Sequence, residues 1–276
     1  MSSEIIESYL VINGGIVPVH EAETLSLNSS RTIYEVIRVM TGIPLFLENH
    51  MERLEASARL IDSSVSSIAG KIENSIHELI KANGSPEKNI KIIAYNLEKS
   101  TPDYMAYFIQ SSYPAAEDYR NGVHTILLQE ERSNPNAKLV NSSFKEKVAA
   151  ALSETKAYEA ILVNNKDEIT EGSRSNVFFV RGDTVLTAPK GNVLIGITRV
   201  CVFELCRKLK IGIIEHSISI SMLGEMDGIF MTGTSPKLLP ISKVDDLHFN
   251  SAGNQIIKAL MKGYNDMLDD YIIKSR

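Results

Sequence analysis

At 276 residues, with 43% hydrophobic and 23% charged residues, the chain has material for one large domain or two smaller ones with buried cores. Its net charge of -5 supplies no general field that would recruit nucleic acid, so any anion site must be local. Two cysteines outside any CxxC pair, no apolar run near the roughly 20 residues that span a bilayer, and an N-terminus without a signal pattern lead us to expect a soluble, cytoplasmic protein with no membrane partner.

Residues 8–19 read as a hairpin turning at Gly14-Gly15. A loop over 26–30 leads to an apolar strand over 33–40, and Thr41-Gly42 turns the chain back into Leu45-Phe46-Leu47. Asn49 is placed to cap a helix starting near His50, in which Met51, Leu54, Ala58 and Ile61 recur at helical spacing and Arg53 lies off the stripe. A second helix is expected over 71–82, then strands over 90–96 and 104–111. Residues 112–121, with Pro114, read as a linker. Beyond it come a strand over 123–128, a loop over 130–136 running into Ala137-Lys138-Leu139-Val140, and a helix to about 156 capped by Asn141 or Ser142. Strands follow at 160–163, Ile169, 177–180 and 185–186. Thr198 reads as the N-cap of a helix over 199–209. Strands over 211–215 and 228–231 precede Thr232-Gly233-Thr234-Ser235, and an amphipathic helix over 253–271 closes the sequence. The pattern is mixed α/β (α+β): a small α/β domain over 1–111, the linker, and a larger domain over 122–276.

The stretch EITEGSRSNVFF, residues 168–179, carries more polar chemistry than a turn between two strands requires. Gly196-Ile197-Thr198 leads into a helix whose first N–H groups are unpaired, and Thr232-Gly233-Thr234-Ser235 sets hydroxyls around a glycine. Both suit a phosphate, although a plain N-cap and a plain turn explain them as well. Arg53 is the natural partner for a phosphate, against its ordinary reading as a solvated helix charge. Lys138, beside Leu139 and Val140, is a candidate amine nucleophile, against the commoner case of an exposed lysine. The six histidines form no HxxxH or HExxH pair, so no metal site is expected, and there is no GxSxG elbow. His50 reads as a buttress of its helix.

In this order the pieces YEVIRVMTGIPLFLENHMERLEASA, AKLVN, YEAIL, EITEGSRSNVFF, GITR, MTGTS and LPI, running from Ile33 to Ile241, resemble the fold-type IV pyridoxal-phosphate enzymes. That family holds branched-chain aminotransferases, D-amino-acid aminotransferases and aminodeoxychorismate lyases. The resemblance implies a small α/β domain, a larger pseudo-barrel domain, an active site between them and a homodimer. It implies pyridoxal 5′-phosphate as cofactor, with Lys138 as the lysine that holds it and shuttles the substrate's Cα proton, and Glu171 as the carboxylate facing the pyridine nitrogen. Arg53, Ile197, Thr198 and Thr234 match the phosphate cradle, with Gly233 and Ser235 flanking the last. Leu194 matches a residue packing on the ring, and Asn176 follows the cofactor loop.

Tyr34-Glu35-Val36-Ile37-Arg38 is similar to the D-amino-acid enzymes, yet Tyr95-Asn96-Leu97 stands where those carry a carboxylate-binding arginine. The motif of the branched-chain enzymes near that strand has no clear counterpart, and Arg174 replaces a small residue of many relatives. Tyr34, Arg38, Arg174 and Ser235 are the substrate-binding candidates, because an amino-acid carboxylate needs a donor. The expected reaction transfers an amino group between an amino acid, branched-chain or D, and a 2-oxo acid. The rivals are an aminodeoxychorismate lyase and a non-catalytic cofactor-binding homologue. Retention of both Lys138 and Glu171 argues against the latter.

Overall fold

The computed structural model describes residues 4–22, 32–132, 134–139 and 141–276, so the expected loop over 26–30 and the position of Val140 lie outside the described residues. The chain divides into two compact units: Met1–Ser112 with Ala137–Val140 and Leu268–Arg276, and Tyr113–Asn136 with Asn141–Met267.

The first unit contains β1 (Tyr9–Ile12), β2 (Gly15–Pro18), β3 (Ile33–Met40), β4 (Ile43–Pro44), α1 (Leu47–Arg59), α2 (Ala69–Ala82), β5 (Asn89–Tyr95) and β6 (Asp103–Ile109). Its six-stranded sheet runs β2-β1-β6-β5-β3-β4. The β1–β2 turn is Asn13-Gly14 rather than Gly14-Gly15. Both residues have positive φ, 50° and 92°, and Ile12 pairs with Gly15. A two-residue hairpin of this hand needs positive φ at both central positions, which Asn and Gly tolerate. In β3 burial alternates strictly, with Ile33, Glu35, Ile37 and Val39 inward. Those apolar residues pack on Leu54 and Ala58 of α1 and Ile72, Ile76 and Leu79 of α2. The other face of the sheet is covered too, through Leu10, Ile93, Tyr95, Met105 and Tyr107, so all seven residues of β5 are buried. Helix α1 begins at Leu47, two residues before Asn49. Phe46 precedes it in the left-handed region and contributes no side-chain cap, while its ring lies against Tyr271, centroids 4.7 Å apart.

The second unit contains α3 (Ala116–Asn121), β7 (Val123–Gln129), α4 (Ser142–Thr155), β8 (Glu159–Val163), β9 (Glu168–Gly172), β10 (Asn176–Arg181), β11 (Thr184–Thr187), α5 (Ile197–Leu209), β12 (Gly212–Glu215), β13 (Ile218–Ser219), β14 (Gly228–Gly233), β15 (Lys237–Val244) and β16 (Leu247–His248). Helix α6 (Gln255–Lys274) closes the chain. Ten strands form one sheet in the order β12-β11-β10-β14-β15-β7-β8-β9-β13, with β16 beside β15. Pairs β15–β7, β7–β8 and β11–β12 are parallel and the rest antiparallel, so the sheet is mixed. Asn141 caps α4 as expected, accepting the Phe144 N–H at 3.0 Å. Residues 112–121 hold the short helix α3. The eight residues of β15 had no strand-like reading because Pro240 sits mid-strand, where it cannot donate to the ladder. No helix among the described residues is long and apolar enough to cross a membrane.

Candidate functional site

In the first unit the candidates gather around β3. The segment carrying Lys138 is clipped to it: the Tyr34 N–H donates to the Lys138 carbonyl at 3.1 Å, and Leu139 bridges to Ile33. The Lys138 N–H reaches the Ser57 hydroxyl of α1 at 3.3 Å. Its ammonium lies 5.3 Å from the centroid of the Tyr34 ring. Arg53 is not a solvated charge. Its Nε and Nη2 donate to the two Glu35 oxygens at 2.7 and 2.6 Å, a bidentate pair with Glu35 wholly buried. His50 is buried and its Nδ1 stands 2.8 Å from Glu35 Oε2. Arg38 is half-buried on β3, on the strand face that Tyr34 shares.

These charges set each other. Burial alone would raise the Glu35 carboxyl, but the Arg53 and Lys138 charges, with hydrogen bonds from Arg53 and His50, outweigh it and hold Glu35 well below the usual carboxylate range. Burial lowers His50 against the pull of Glu35, so its imidazole is neutral and donates from Nδ1 to a carboxylate that can only accept. Glu35 escaped the sequence reading. Its signal was a charged residue at an inward position of the apolar alternation Ile33, Ile37, Val39.

In the second unit the polar stretch of residues 168–179 resolves into strand ends. Glu171 and Gly172 finish β9, Asn176 opens β10, and Ser173, Arg174 and Ser175 form the link. Buried Glu159 of β8 ties that link down, accepting from the Arg174 N–H at 3.3 Å, the Ser175 hydroxyl at 3.2 Å and the Ser173 hydroxyl. Glu171 is buried. Its Oε2 accepts the Leu194 N–H at 3.1 Å and its Oε1 lies 3.4 Å from Arg132 Nε. Arg132 also donates to the Ser173 carbonyl at 2.6 Å. Asn176 Nδ2 donates to the Leu194 carbonyl at 2.8 Å, so both the N–H and the C=O of Leu194 are held. Glu159 and Arg132 were missed: one opens an apolar strand and reads as its edge, and the other sits in a loop with no motif around it.

Helix α5 starts at Ile197 with Gly196 as N-cap, so Thr198 is in the first turn and is not the cap. No side chain caps this terminus, which leaves the first turn's N–H groups to an anion. Gly196 is needed here, because an added Cβ would come within 2.2 Å of Asn176 Oδ1. Thr232 pairs with Asn176 across β14 and β10, and its buried hydroxyl makes no hydrogen bond. Thr234 and Ser235 lie in the β14–β15 turn, and a Cβ added to Gly233 would meet the Pro236 ring at 3.2 Å and the Arg174 carbonyl at 3.5 Å. Glu171, Asn176, Leu194, Ile197, Thr198 and the turn after Thr232 are thus brought together in this unit. Arg174 is the outlier: its side chain is 67% exposed, donating to the Tyr158 carbonyl at 3.1 Å. Among the described residues no group of three or more His, Cys, Asp or Glu could hold a metal ion.

An uncapped helix terminus, an orphaned buried hydroxyl and a buried carboxylate at a strand end fit a ligand with an anionic end and a cationic ring nitrogen. The family described as amino-transferase class IV matches residues 32–244. The chain belongs to the class IV aminotransferases. It is 27% identical over 224 residues to the D-alanine aminotransferase of Bacillus licheniformis, covering 77% of this chain and 78% of that protein. It is 28% identical over 285 residues to a probable branched-chain-amino-acid aminotransferase of Aquifex aeolicus, covering 93% and 91%. The fold matches the crystal structure of the branched-chain amino acid aminotransferase from Thermobaculum terrenum in its PLP-bound holo form. The TM-score is 0.81 at 22% identity over 98% of this chain and 95% of that one. Class IV aminotransferases are transaminases that use pyridoxal 5′-phosphate, and the residues above suit that cofactor's phosphate and ring nitrogen.

Proposed function

We propose that this class IV aminotransferase moves the amino group of a branched-chain or D-amino acid to a 2-oxo acid, as a cytoplasmic homodimer. The observation that carries the reading is Lys138, whose backbone is clipped to β3 and α1 and whose ammonium is held against Tyr34, within the field of Glu35. A reactive amine gains rate from such a fixed approach, which a solvated lysine lacks. Pyridoxal phosphate, when bound, supplies an electron-accepting ring and an aldehyde carbon. Lys138 is the amine that holds it and then carries the proton at the substrate's Cα. Glu171, kept in place by the Leu194 N–H and Arg132, faces the ring nitrogen and favours its protonated form. The N–H groups of Ile197 and Thr198, with Arg53 and Thr234, hold the phosphate. Gly233 gives that turn its close backbone, Leu194 packs on the ring, and Asn176 braces Leu194. Tyr34, Arg38, Arg174 and Ser235 are the groups toward substrate. The D-alanine and branched-chain relatives support the two substrate classes named, and the free, buried Cys201 and Cys206 support a reducing compartment.

The test is a panel of L- and D-amino donors against pyruvate and 2-oxoglutarate, with product chirality recorded. Transfer from an aliphatic donor that stops when the oxo acid is withheld is the expected result. Pyruvate release from aminodeoxychorismate without an acceptor would replace the reading with the lyase. Glu171→Gln should slow the donor half-reaction on the order of 100-fold, while borohydride still fixes the cofactor to the protein. Unchanged half-reaction rates would remove Glu171 from the chemistry.

A further inference from the structure

Lys91 is a charged residue in the middle of fully buried β5, and the reaction described above does not use it. Its side chain is 7% exposed. An ammonium that deep is costly unless it is paired, so its surroundings have been built around it. In the sheet register Lys91 stands between Val36 of β3 and Tyr107 of β6, on the face that also carries Tyr34. Its Nζ lies 5.8 Å from the Tyr34 ring centroid and 5.9 Å from that of Tyr107. Tyr34 is also the ring against which the Lys138 ammonium rests, at 5.3 Å. One aromatic ring therefore lies against two lysines.

The partner of Lys91 is a carboxylate from the start of the chain. Glu4 receives Lys91 Nζ on both oxygens, at 2.7 and 2.8 Å, and the Tyr107 hydroxyl donates to its Oε2 at 3.1 Å. Burial and the Glu4 charge push the Tyr107 phenol up, so it remains a donor. Glu4 itself is 41% exposed and reaches this position on a short extension beside β6, held by the Ile6 N–H to the Phe108 carbonyl at 3.2 Å and the Ile5–Ile109 bridge. The donors are buried and fixed, while the acceptor sits at the solvent boundary on a thin strap.

We propose that Lys91 and Tyr107 form a carboxylate-binding subsite for the substrate and that Glu4 is its internal occupant, which a substrate carboxylate displaces. This rests on the transaminase reading for the identity of the displacing ligand. The carboxylate is either the one on the substrate's Cα or one at the end of its side chain, since both present the same acceptor. In either case the strap competes with substrate, and apparent affinity is reduced by the fraction of protein in which Glu4 is bound.

The test is calorimetric binding of glutarate and of butyrate, neither of which carries an amino group, to the holoenzyme. Glu4→Gln should tighten glutarate about tenfold. Lys91→Met should weaken it by a similar factor and erase the effect of Glu4→Gln in the double variant. Tyr107→Phe, which keeps the ring, should weaken it several-fold and covers the case in which Lys91→Met does not fold. Butyrate following the same pattern assigns the subsite to the Cα carboxylate, and butyrate unmoved assigns it to a side-chain carboxylate. Glutarate affinity unchanged in Glu4→Gln, or a Glu4→Gln effect that persists without Lys91, overturns the proposal. Because binding is read without turnover, a protein that transaminates normally but fails here loses only the subsite. One that binds as expected but transfers no amino group loses only the transaminase reading.

Discussion

Lys138→Ala should lower transamination on the order of 10⁴-fold or more and remove borohydride-fixed cofactor from the protein. The local structure makes this a clean experiment. The segment is held by backbone groups, the Lys138 carbonyl to Tyr34 and its N–H to Ser57, and by the Leu139–Ile33 bridge. None of these needs the side chain. Glu35 loses one of the charges that hold it down but keeps Arg53 at 2.6 and 2.7 Å and the His50 hydrogen bond. The variant should therefore fold, with a urea midpoint close to the parent. Loss of activity together with loss of fold would leave the lysine's role to a peptide map. There, recovery of the reduced adduct on any lysine other than Lys138 in the parent protein would end the assignment.

Much of this architecture was legible because the strongest signals were local. Strict alternation in β3 and the stripe of Met51, Leu54 and Ala58 in α1 each follow from one buried face, so period alone locates them. The failures have physical reasons. β15 carries Pro240 and Lys237, the latter at a φ of 55°, and so contradicts strand preference until neighbours on both sides supply the ladder. Helix α1 starts early because Phe46, in a conformation a sequence window does not anticipate, turns the chain there.

For the candidate site, Lys138, Glu171, Thr198 and Thr234, whose roles are proposals, were singled out by the resemblance of the strings around them to a family. The groups that position them were not. Glu35, Glu159 and Arg132 act through contacts between a strand and a helix or between a strand and a loop, which have no fixed sequence spacing. Burial marks the two carboxylates afterwards, since an inward carboxylate needs fixed donors and Glu35 and Glu159 are held by named ones. A charged residue interrupting an apolar alternation is the trace they leave, as with Glu35 in β3 and Lys91 in β5.

Arg53→Ala should show two separable losses, because Arg53 is paired with Glu35 and is also proposed to hold the phosphate. In the cofactor-free protein the substitution strands Glu35 in a fully buried position, which costs about 3–5 kcal/mol of stability. The cost depends on pH in a fixed direction. With Arg53 present, Glu35 titrates below its unfolded value. Its contribution is then complete above the ordinary carboxylate range and is lost only as pH falls through the depressed value. Without Arg53, burial, which raises the carboxyl, loses its main opponent, so the penalty of Arg53→Ala should be largest at neutral pH and shrink as acid neutralises Glu35. Removing both charges in Arg53→Ala/Glu35→Gln leaves no buried ion and should restore most of the urea midpoint. It should not restore cofactor affinity. If Arg53 also grips the phosphate, pyridoxal phosphate binds the single and the double variant about tenfold or more weaker than the parent. Arg53→Lys should recover part of each property, since a point charge cannot reproduce the fork. A double variant that regains both stability and tight cofactor binding would confine Arg53 to holding Glu35 and leave the phosphate to the first turn of α5.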